Sequence, residues 1–162
     1  MISTFESPVG RLTLVAEGDA LVGVRFPGRN GGPRTGAAPA GSGVLAEAAR
    51  QLSEYFAQER TSFDLPLALD GSAFQLRVWA ALREIPFGET VSYGELAKRI
   101  ARPGEDPPDP RDVGAAVGRT PAPIVVPCHR VIGADGSLVG YGGGLERKRA
   151  LLDLEASQLA LI

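Results

Sequence analysis

The only cysteine and the only histidine of the chain stand side by side, at Cys128 and His129. The thiolate is the nucleophilic form of cysteine, and a neighbouring imidazole can hold a thiol partly in that form. An apolar, β-branched run at residues 124–126 leads into the pair. Pro127 ends the run, because proline has no N–H to donate to a strand ladder. The pattern predicts a reactive thiol at the end of a strand, where a turn directs it into a cleft.

The alternative is a cysteine without chemistry, since a lone cysteine most often serves as a small buried hydrophobic residue. Adjacency to His129 favours reactivity but does not establish it, because neighbouring residues on a regular strand point to opposite faces. The residue types alone therefore leave both interpretations open.

Length and charge narrow the class of protein. A chain of 162 residues makes one compact protein or two small lobes. One cysteine excludes an intramolecular disulfide, and together with one histidine it cannot build a structural zinc site, so we expect no metal. The start of the chain lacks the features of a signal peptide, and no run is long enough for a membrane span, which predicts a cytoplasmic protein. A net charge of −2 argues against broad electrostatic binding to nucleic acid.

The first half of the chain has the pattern of a small α/β lobe. Alternating runs predict strands at residues 2–6, 11–17 and 20–26, with a further extended segment at 63–69. Residues 44–58 carry apolar side chains at helical spacing. The glycine- and proline-rich residues 28–43 are expected to form a flexible surface loop, and residues 70–72 a hinge.

The second half is predicted to be mostly helical. We expect helices at residues 73–85, 93–101, 110–118 and 146–156. Ser92 and Glu95 form a capping box, and Asp109 followed by Pro110 is a strong helix start, so the second and third of these helices make a helix-turn-helix. Trp79 is expected in the core, and Arg147, Lys148 and Arg149 on a solvated face.

A longer combination of motifs identifies a family. Residues 127–133 read Pro-Cys-His-Arg-Val-Ile-Gly, residues 138–145 contain a Tyr-Gly-Gly-Gly run, and residues 151–155 read Leu-Leu-Asp-Leu-Glu. This combination closely resembles the O6-alkylguanine-DNA alkyltransferases, the methylated-DNA–protein-cysteine methyltransferases. The resemblance implies an α/β domain at 1–69 (a small antiparallel sheet plus helix, ribonuclease H-like). It also implies a mostly α domain at 73–162 with a winged helix-turn-helix that binds DNA and accepts the alkyl group.

The resemblance also implies roles for the catalytic residues. Cys128 would attack the alkyl carbon on O6 of guanine, and probable family chemistry extends to O4 of thymine. His129 would take the thiol proton through water, Glu155 would orient the imidazole, and Tyr93 would donate a proton to the departing guanine. The product is a thioether, and the chain has no second thiol to reverse it. The protein would therefore react once and need no cofactor.

The implied partner is double-stranded DNA carrying O6-alkylguanine, bound through the minor groove by a monomer. The target nucleotide must leave the base stack, and Arg111 corresponds to the arginine that fills the vacancy. Without the resemblance Arg111 would be a solvated arginine near a helix start. Small residues would let α-helical backbone approach DNA, other residues would line the base pocket, and two would brace the turn. In that order these are Gly114, Ala115 and Ala116; Val131, Tyr141, Gly142 and Gly143; and Thr120 and Arg130.

Two features depart from the family pattern. Thr120 stands where the family generally has asparagine, and Asp112 stands where it has a small residue, with Glu105, Asp106 and Asp109 adding negative charge nearby. A carboxylate that faced DNA would repel phosphates. These departures leave three alternatives: the same alkyl transfer from a free base or small alkylating metabolite, a Cys-His-Glu hydrolase that turns over, and a lesion-binding protein without catalysis.

Overall fold

The computed structural model describes residues 1–27, 38–39, 43–138, 141 and 143–160. The chain forms two compact units, one made of residues 1–70 with 121–125 and the other of residues 71–120 with 126–162. The predicted surface loop at 28–43 lies almost entirely outside the described residues.

The first unit is a small sheet with one helix. Strands β1 (Ile2–Ser7), β2 (Gly10–Glu17) and β3 (Ala20–Arg25) pair antiparallel, and the short β4 (Ala38–Pro39) pairs parallel with β1, in the order β3-β2-β1-β4. Helix α1 (Gly43–Phe56) buries its apolar side chains at a spacing of three and four residues. The small antiparallel sheet and the helix of this lobe follow the sequence prediction.

Residues 121–125 complete the first unit, although the sequence-based boundary assigned them to the second half. The backbone N–H of Val24 donates to the Pro121 carbonyl over 2.9 Å. Ala122 and Ile124 are fully buried, and Ile124 has a φ of +76°, outside the range of a strand. The strand expected at 124–126 is therefore wrong. Pro121, Pro123 and Pro127 each lack an N–H, so the apolar run signals burial and not ladder pairing.

The second unit is mainly helical. It contains helices α2 (Ala73–Leu82), α3 (Tyr93–Ile100), α4 (Pro110–Gly118) and α5 (Leu145–Ala160). The strands β5 (Val91–Ser92) and β6 (Val131–Ile132) make a two-stranded parallel sheet, and Cys128–Arg130 forms one 3₁₀ turn. Helix α2 ends earlier than predicted, because the N–H groups of Glu84 and Ile85 bond to carbonyls three residues back and tighten the chain into a turn.

Side-chain caps define where α3 and α4 begin. The Ser92 hydroxyl accepts the Glu95 N–H over 3.0 Å, and the Asp109 carboxylate accepts the Arg111 N–H over 2.8 Å, with Pro110 at the first helical position. These caps satisfy backbone donors that a helix start leaves without a partner. The observed bounds of α4 are those predicted from the sequence.

Trp79 connects α2 to α4 in the core of the second unit. It is buried, as predicted, and its indole Nε1–H donates to the Ala116 carbonyl over 2.9 Å. The ring also lies directly against Gly71, where an added Cβ would come within 2.5 Å of the ring. The glycine before α2 is therefore required by the packing of Trp79.

The parallel pair β5–β6 brings two distant segments together. Val91 pairs with Val131 and Ser92 with Ile132. Tyr93 directly follows β5, and the turn that carries Cys128 directly precedes β6. No helix within the described residues is long and apolar enough to cross a membrane.

Candidate active site

Cys128 lies at the start of the 3₁₀ turn Cys128–Arg130. The turn, and not a strand end, separates the thiol from the buried run before it. Cys128 is 5 % exposed, so its sulfur is almost fully withdrawn from solvent. The turn also removes the difficulty that adjacent strand residues face opposite ways, because Cys128 and His129 do not belong to a strand.

His129 is paired with Glu155 of α5. Its Nε2 lies 2.6 Å from Oε2 of Glu155, and both side chains are buried, at 0 and 1 % exposure. An ionised carboxylate only accepts hydrogen bonds, so the proton of a neutral His129 lies on Nε2. The Nδ1 atom then carries the free lone pair. It is buried and has no hydrogen-bond partner among the described residues.

Glu155 is held by three further donors. Arg130 donates to it through Nε over 2.9 Å and through Nη2 over 3.0 Å, and the Gly88 N–H donates over 3.1 Å. Arg130 also donates to the Ile85 carbonyl over 2.7 Å and lies over the Phe87 ring. The geometry therefore agrees with a bracing position for Arg130, while Gly88 is a contact that sequence reasoning missed.

The electrostatics of this cluster favour a neutral imidazole and an ionised carboxylate. Burial lowers the pKa of His129 and outweighs the neighbouring Glu155 carboxylate, which raises it. Burial alone would raise the pKa of Glu155, but the hydrogen bonds and charges of His129 and Arg130 bring it down to about 2. The charge of Glu155 is thus balanced by Arg130, and His129 remains available as a base.

The thiol itself is neutral in its resting state. Burial raises the pKa of Cys128 to about 11, against smaller opposing effects from hydrogen bonds with Thr120 and Tyr141 and from the charge of Lys148. Three side chains therefore surround the sulfur with groups that favour its anion. Two of them, Thr120 and Lys148, had no such role in the sequence analysis.

Lys148 corrects the expectation of a solvated charge run on α5. Arg149 is exposed and Arg147 is half-buried, but Lys148 is fully buried. Burial lowers the pKa of its ammonium group, and interaction with Cys128 acts in the opposite direction. Lys148 and Glu155 are seven residues apart, two helical turns, and so share a face of α5. That spacing was the available signal.

Tyr93 lies on the other side of the site, at the start of α3. It is half-buried, and burial together with the nearby Cys128 raises the pKa of its phenol. A raised pKa keeps the hydroxyl protonated at neutral pH, which is the state that can donate a proton. Gly114 of α4 packs near the ring, because an added Cβ there would lie 3.6 Å from it.

The remaining pocket residues are only partly accounted for. Val131 is fully buried in β6, Tyr141 is half-buried beside the sulfur, and Gly143 is buried. Gly142 lies outside the described residues. These positions agree with a pocket wall next to Cys128 and leave the role of Gly142 as a prediction.

Helix α4 presents a different set of residues at its surface. The Arg111 side chain is 91 % exposed and pairs with Asp109, Nη2 to Oδ2, over 3.0 Å. Ala115 is exposed and Gly114 is half-buried, whereas Ala116 is only 3 % exposed and faces the core. Of the three small residues predicted to meet DNA, Ala116 is therefore the one whose side chain is not available at the surface.

A buried Cys-His-Glu cluster beside a helix-turn-helix defines the class: a protein with a nucleophilic thiol next to a nucleic-acid-binding motif. Two family models match the chain, the 6-O-methylguanine DNA methyltransferase ribonuclease-like domain over residues 1–69 and the DNA-binding domain of the same family over residues 73–157. The chain belongs to the 6-O-methylguanine DNA methyltransferase family, and the resemblance inferred from its motifs is confirmed.

Individual relatives match over nearly their whole length. The methylated-DNA–protein-cysteine methyltransferase of Mycobacterium bovis is 51 % identical over 96 % of this chain and 92 % of its own. The protein of that name from Methanosarcina acetivorans is 47 % identical, over 94 % of this chain and 96 % of its own. The crystal structure of Mycobacterium tuberculosis OGT in complex with DNA is 50 % identical, with a TM-score of 0.84, and covers 97 % of this chain and 93 % of the other.

Proposed function

We propose that this protein is a methylated-DNA–protein-cysteine methyltransferase, which repairs DNA by moving a methyl group from guanine O6 to Cys128. The observation that carries the proposal is the buried cluster in which His129 lies 2.6 Å from Glu155 and keeps an unpaired Nδ1 next to the only cysteine. Family membership and the DNA-bound relative support DNA as the partner.

The first step is loss of the thiol proton. A water molecule between the sulfur and Nδ1 accepts the S–H proton and passes its own to the imidazole. The resulting imidazolium is stabilised by Glu155, which follows the nucleophile–base–orienter logic of other relays. The thiolate then attacks the methyl carbon, the carbon–sulfur bond forms, and the carbon–O6 bond breaks.

Departure of guanine completes the reaction. The electron pair of the broken bond stays on the base, and the Tyr93 hydroxyl donates a proton to the base edge. The thioether has no leaving path, so each molecule reacts once and irreversibly. We extend the substrate to larger alkyl groups and to O4 of thymine, as the resemblance implies.

DNA recognition is proposed for the surface of α4. The protein acts as a monomer in the cytoplasm, and α4 enters the minor groove of a winged helix-turn-helix complex while the ribonuclease H-like lobe serves as support. Gly114 and Ala115 allow close backbone approach, and Arg111 enters the stack when the damaged nucleotide is flipped out. Ala116 is left out of the contact surface because its side chain is buried.

Intact mass spectrometry after incubation with an O6-methylguanine duplex tests the chemistry. We expect the mass to rise by one methyl group in place of hydrogen, once only, and the gain to be absent in Cys128→Ser. Release of product without a lasting mass change would support the hydrolase instead. Equal reaction rates with the duplex and with free O6-methylguanine would support the free-base alternative, which the acidic residues around α4 favour.

Arg111→Ala tests the proposed finger. We expect it to slow repair of the duplex by at least tenfold while leaving reaction with the free base nearly unchanged. Arg99→Ala is the matched control, because Arg99 is an exposed arginine on the adjacent α3 that also pairs with a carboxylate, Glu95 over 3.4 Å. Equal slowing of duplex and free-base reactions by Arg111→Ala would contradict the finger role.

A further inference from the structure

Thr120 occupies the end of α4 and has a hydroxyl with two neighbours. Its Oγ1 donates to the Val117 carbonyl over 2.7 Å, and the same hydroxyl hydrogen-bonds with the Cys128 sulfur. A threonine hydroxyl has one proton to donate and two lone pairs. Because that proton is directed at Val117, the contact with a neutral thiol uses a lone pair of Oγ1 as acceptor for the S–H group.

The situation reverses when the sulfur is ionised. A thiolate has no proton to donate and needs donors, so the Oγ1 lone pair then faces a negative charge. Rotation about the Cα–Cβ bond turns the hydroxyl proton away from Val117 and towards the sulfur. Hydrogen bonds to a charged group are roughly twice as strong as those between neutral groups, which favours this second arrangement once the proton has left.

The rotation leaves no buried carbonyl without a partner. The Val117 carbonyl also accepts the backbone N–H of Thr120 over 3.2 Å and the N–H of Arg119, as part of the cap that ends α4. Loss of the hydroxyl bond therefore does not incur the cost of an unsatisfied acceptor. The backbone of the α4 terminus already holds that carbonyl, and the hydroxyl is free to change partner.

We propose that Thr120 is a switchable hydrogen-bond donor to the reacting sulfur, which accepts from the neutral thiol and donates to the thiolate formed during alkyl transfer. The inference rests on the proposed function for its biological meaning, but not for its test. It assigns a role in the chemistry to a position that the sequence analysis treated only as part of a turn.

A serine can replace this role and a valine cannot. Thr120→Val keeps the shape of the side chain and removes the hydroxyl, whereas Thr120→Ser keeps the hydroxyl and removes the methyl group. Asparagine, the residue usual in the family, offers an amide donor that does not need to change partner, so Thr120→Asn should also sustain the thiolate.

The experiment measures the rate of Cys128 alkylation by iodoacetamide against pH, in the intact protein without DNA. The single cysteine makes the intact mass an unambiguous readout. We expect Thr120→Val to raise the thiol pKa by about one unit, which lowers the thiolate fraction about tenfold at neutral pH. The rate should recover at a pH above the thiol pKa, where every molecule is ionised. Thr120→Ser should follow the wild-type profile.

A purely structural role predicts a different result. If Thr120→Val slows alkylation by the same factor at every pH, or leaves the profile unmoved, the proposal is overturned. A thermal melt of each variant identifies any loss of folding, and Thr120→Ser and Thr120→Asn keep the test decisive if the valine variant unfolds. Failure of wild-type protein to take up methyl from DNA would refute the proposed function and leave this thiol titration valid.

Discussion

Burial works against reactivity at Cys128. A thiol with a pKa near 11 is ionised in about one molecule in ten thousand at pH 7. Attack on an alkyl carbon therefore requires a base that removes the proton as the reaction proceeds. The unpaired Nδ1 of His129 is the group positioned to do so. Its lowered pKa keeps the imidazole neutral, and so active as a base, below its ordinary value of 6.5.

His129→Gln should expose this dependence. The glutamine amide can still donate to Glu155 but cannot take up a proton, so we expect methyl transfer at pH 7 to slow by about 10² to 10⁴. The residual rate should then rise about tenfold per pH unit towards pH 11, following the thiolate fraction. Single-turnover kinetics across pH checks this, and a variant whose rate is flat with pH would show that His129 is not the base.

Lys148→Met should change the thiol and not the fold alone. Removing a buried positive charge near the sulfur raises the thiol pKa, so we expect slower methyl transfer at neutral pH and partial recovery as the pH rises. Arg149→Met is the matched control, since the neighbouring Arg149 is exposed on the same helix. Equal effects of the two substitutions on the pH–rate profile would refute the influence of Lys148.

At the scale of the elements, the helices were largely readable from the sequence. Caps at Ser92 and Asp109 are local signals, and so the starts of α3 and α4 were predicted closely. The run at 124–126 failed as a strand because its β-branched residues report burial, while three prolines prevent pairing. The sequence motif supplied Cys128, His129 and Glu155, but contacts such as Gly88 to Glu155 depend on tertiary packing over 67 residues.

Gly71 and Gly118 make a matched test of packing at α2 and α4. Gly71→Ala places a Cβ 2.5 Å from the Trp79 ring, so we expect a loss of about 1–3 kcal/mol in the free energy of unfolding. Gly118, the last residue of α4, has nothing within 4 Å of an added Cβ, and Gly118→Ala should stabilise by about 0.5–1 kcal/mol. Urea unfolding measures both, and similar effects from the two would contradict the close packing of Trp79.

For the whole molecule, the active site should limit stability at both ends of the pH scale. The folded-state pKa of Glu155 is about 2, below the ordinary 4.5, so its contribution is present above 4.5 and is lost as the pH falls towards 2. The folded-state pKa of Cys128 is about 11, above the ordinary 9.0, so its contribution is present below 9.0 and is lost as the pH rises towards 11. Each shift corresponds to about 3 kcal/mol at full extent.

Unfolding measured against pH in wild type and Cys128→Ser tests the alkaline limb. We expect the serine variant to lose less stability between pH 9 and 11, because its hydroxyl does not titrate there. The raised pKa of Tyr93 acts in the same direction and keeps part of the decline. Superimposable alkaline limbs in the two proteins would show that the folded-state thiol is not raised in pKa.

Residues 121–125 give the first unit a hold on the reactive thiol. This short segment is packed into the sheet unit, and only Val126 and Pro127 separate it from Cys128. A fragment cut at residue 71 would keep every residue of the Cys-His-Glu cluster, yet it would leave Ala122 and Ile124 without the core that buries them. The amino-terminal lobe, to which no chemistry is assigned, is thus a folding requirement for the catalytic half, and the gene could not be shortened to its DNA-binding portion without loss of repair.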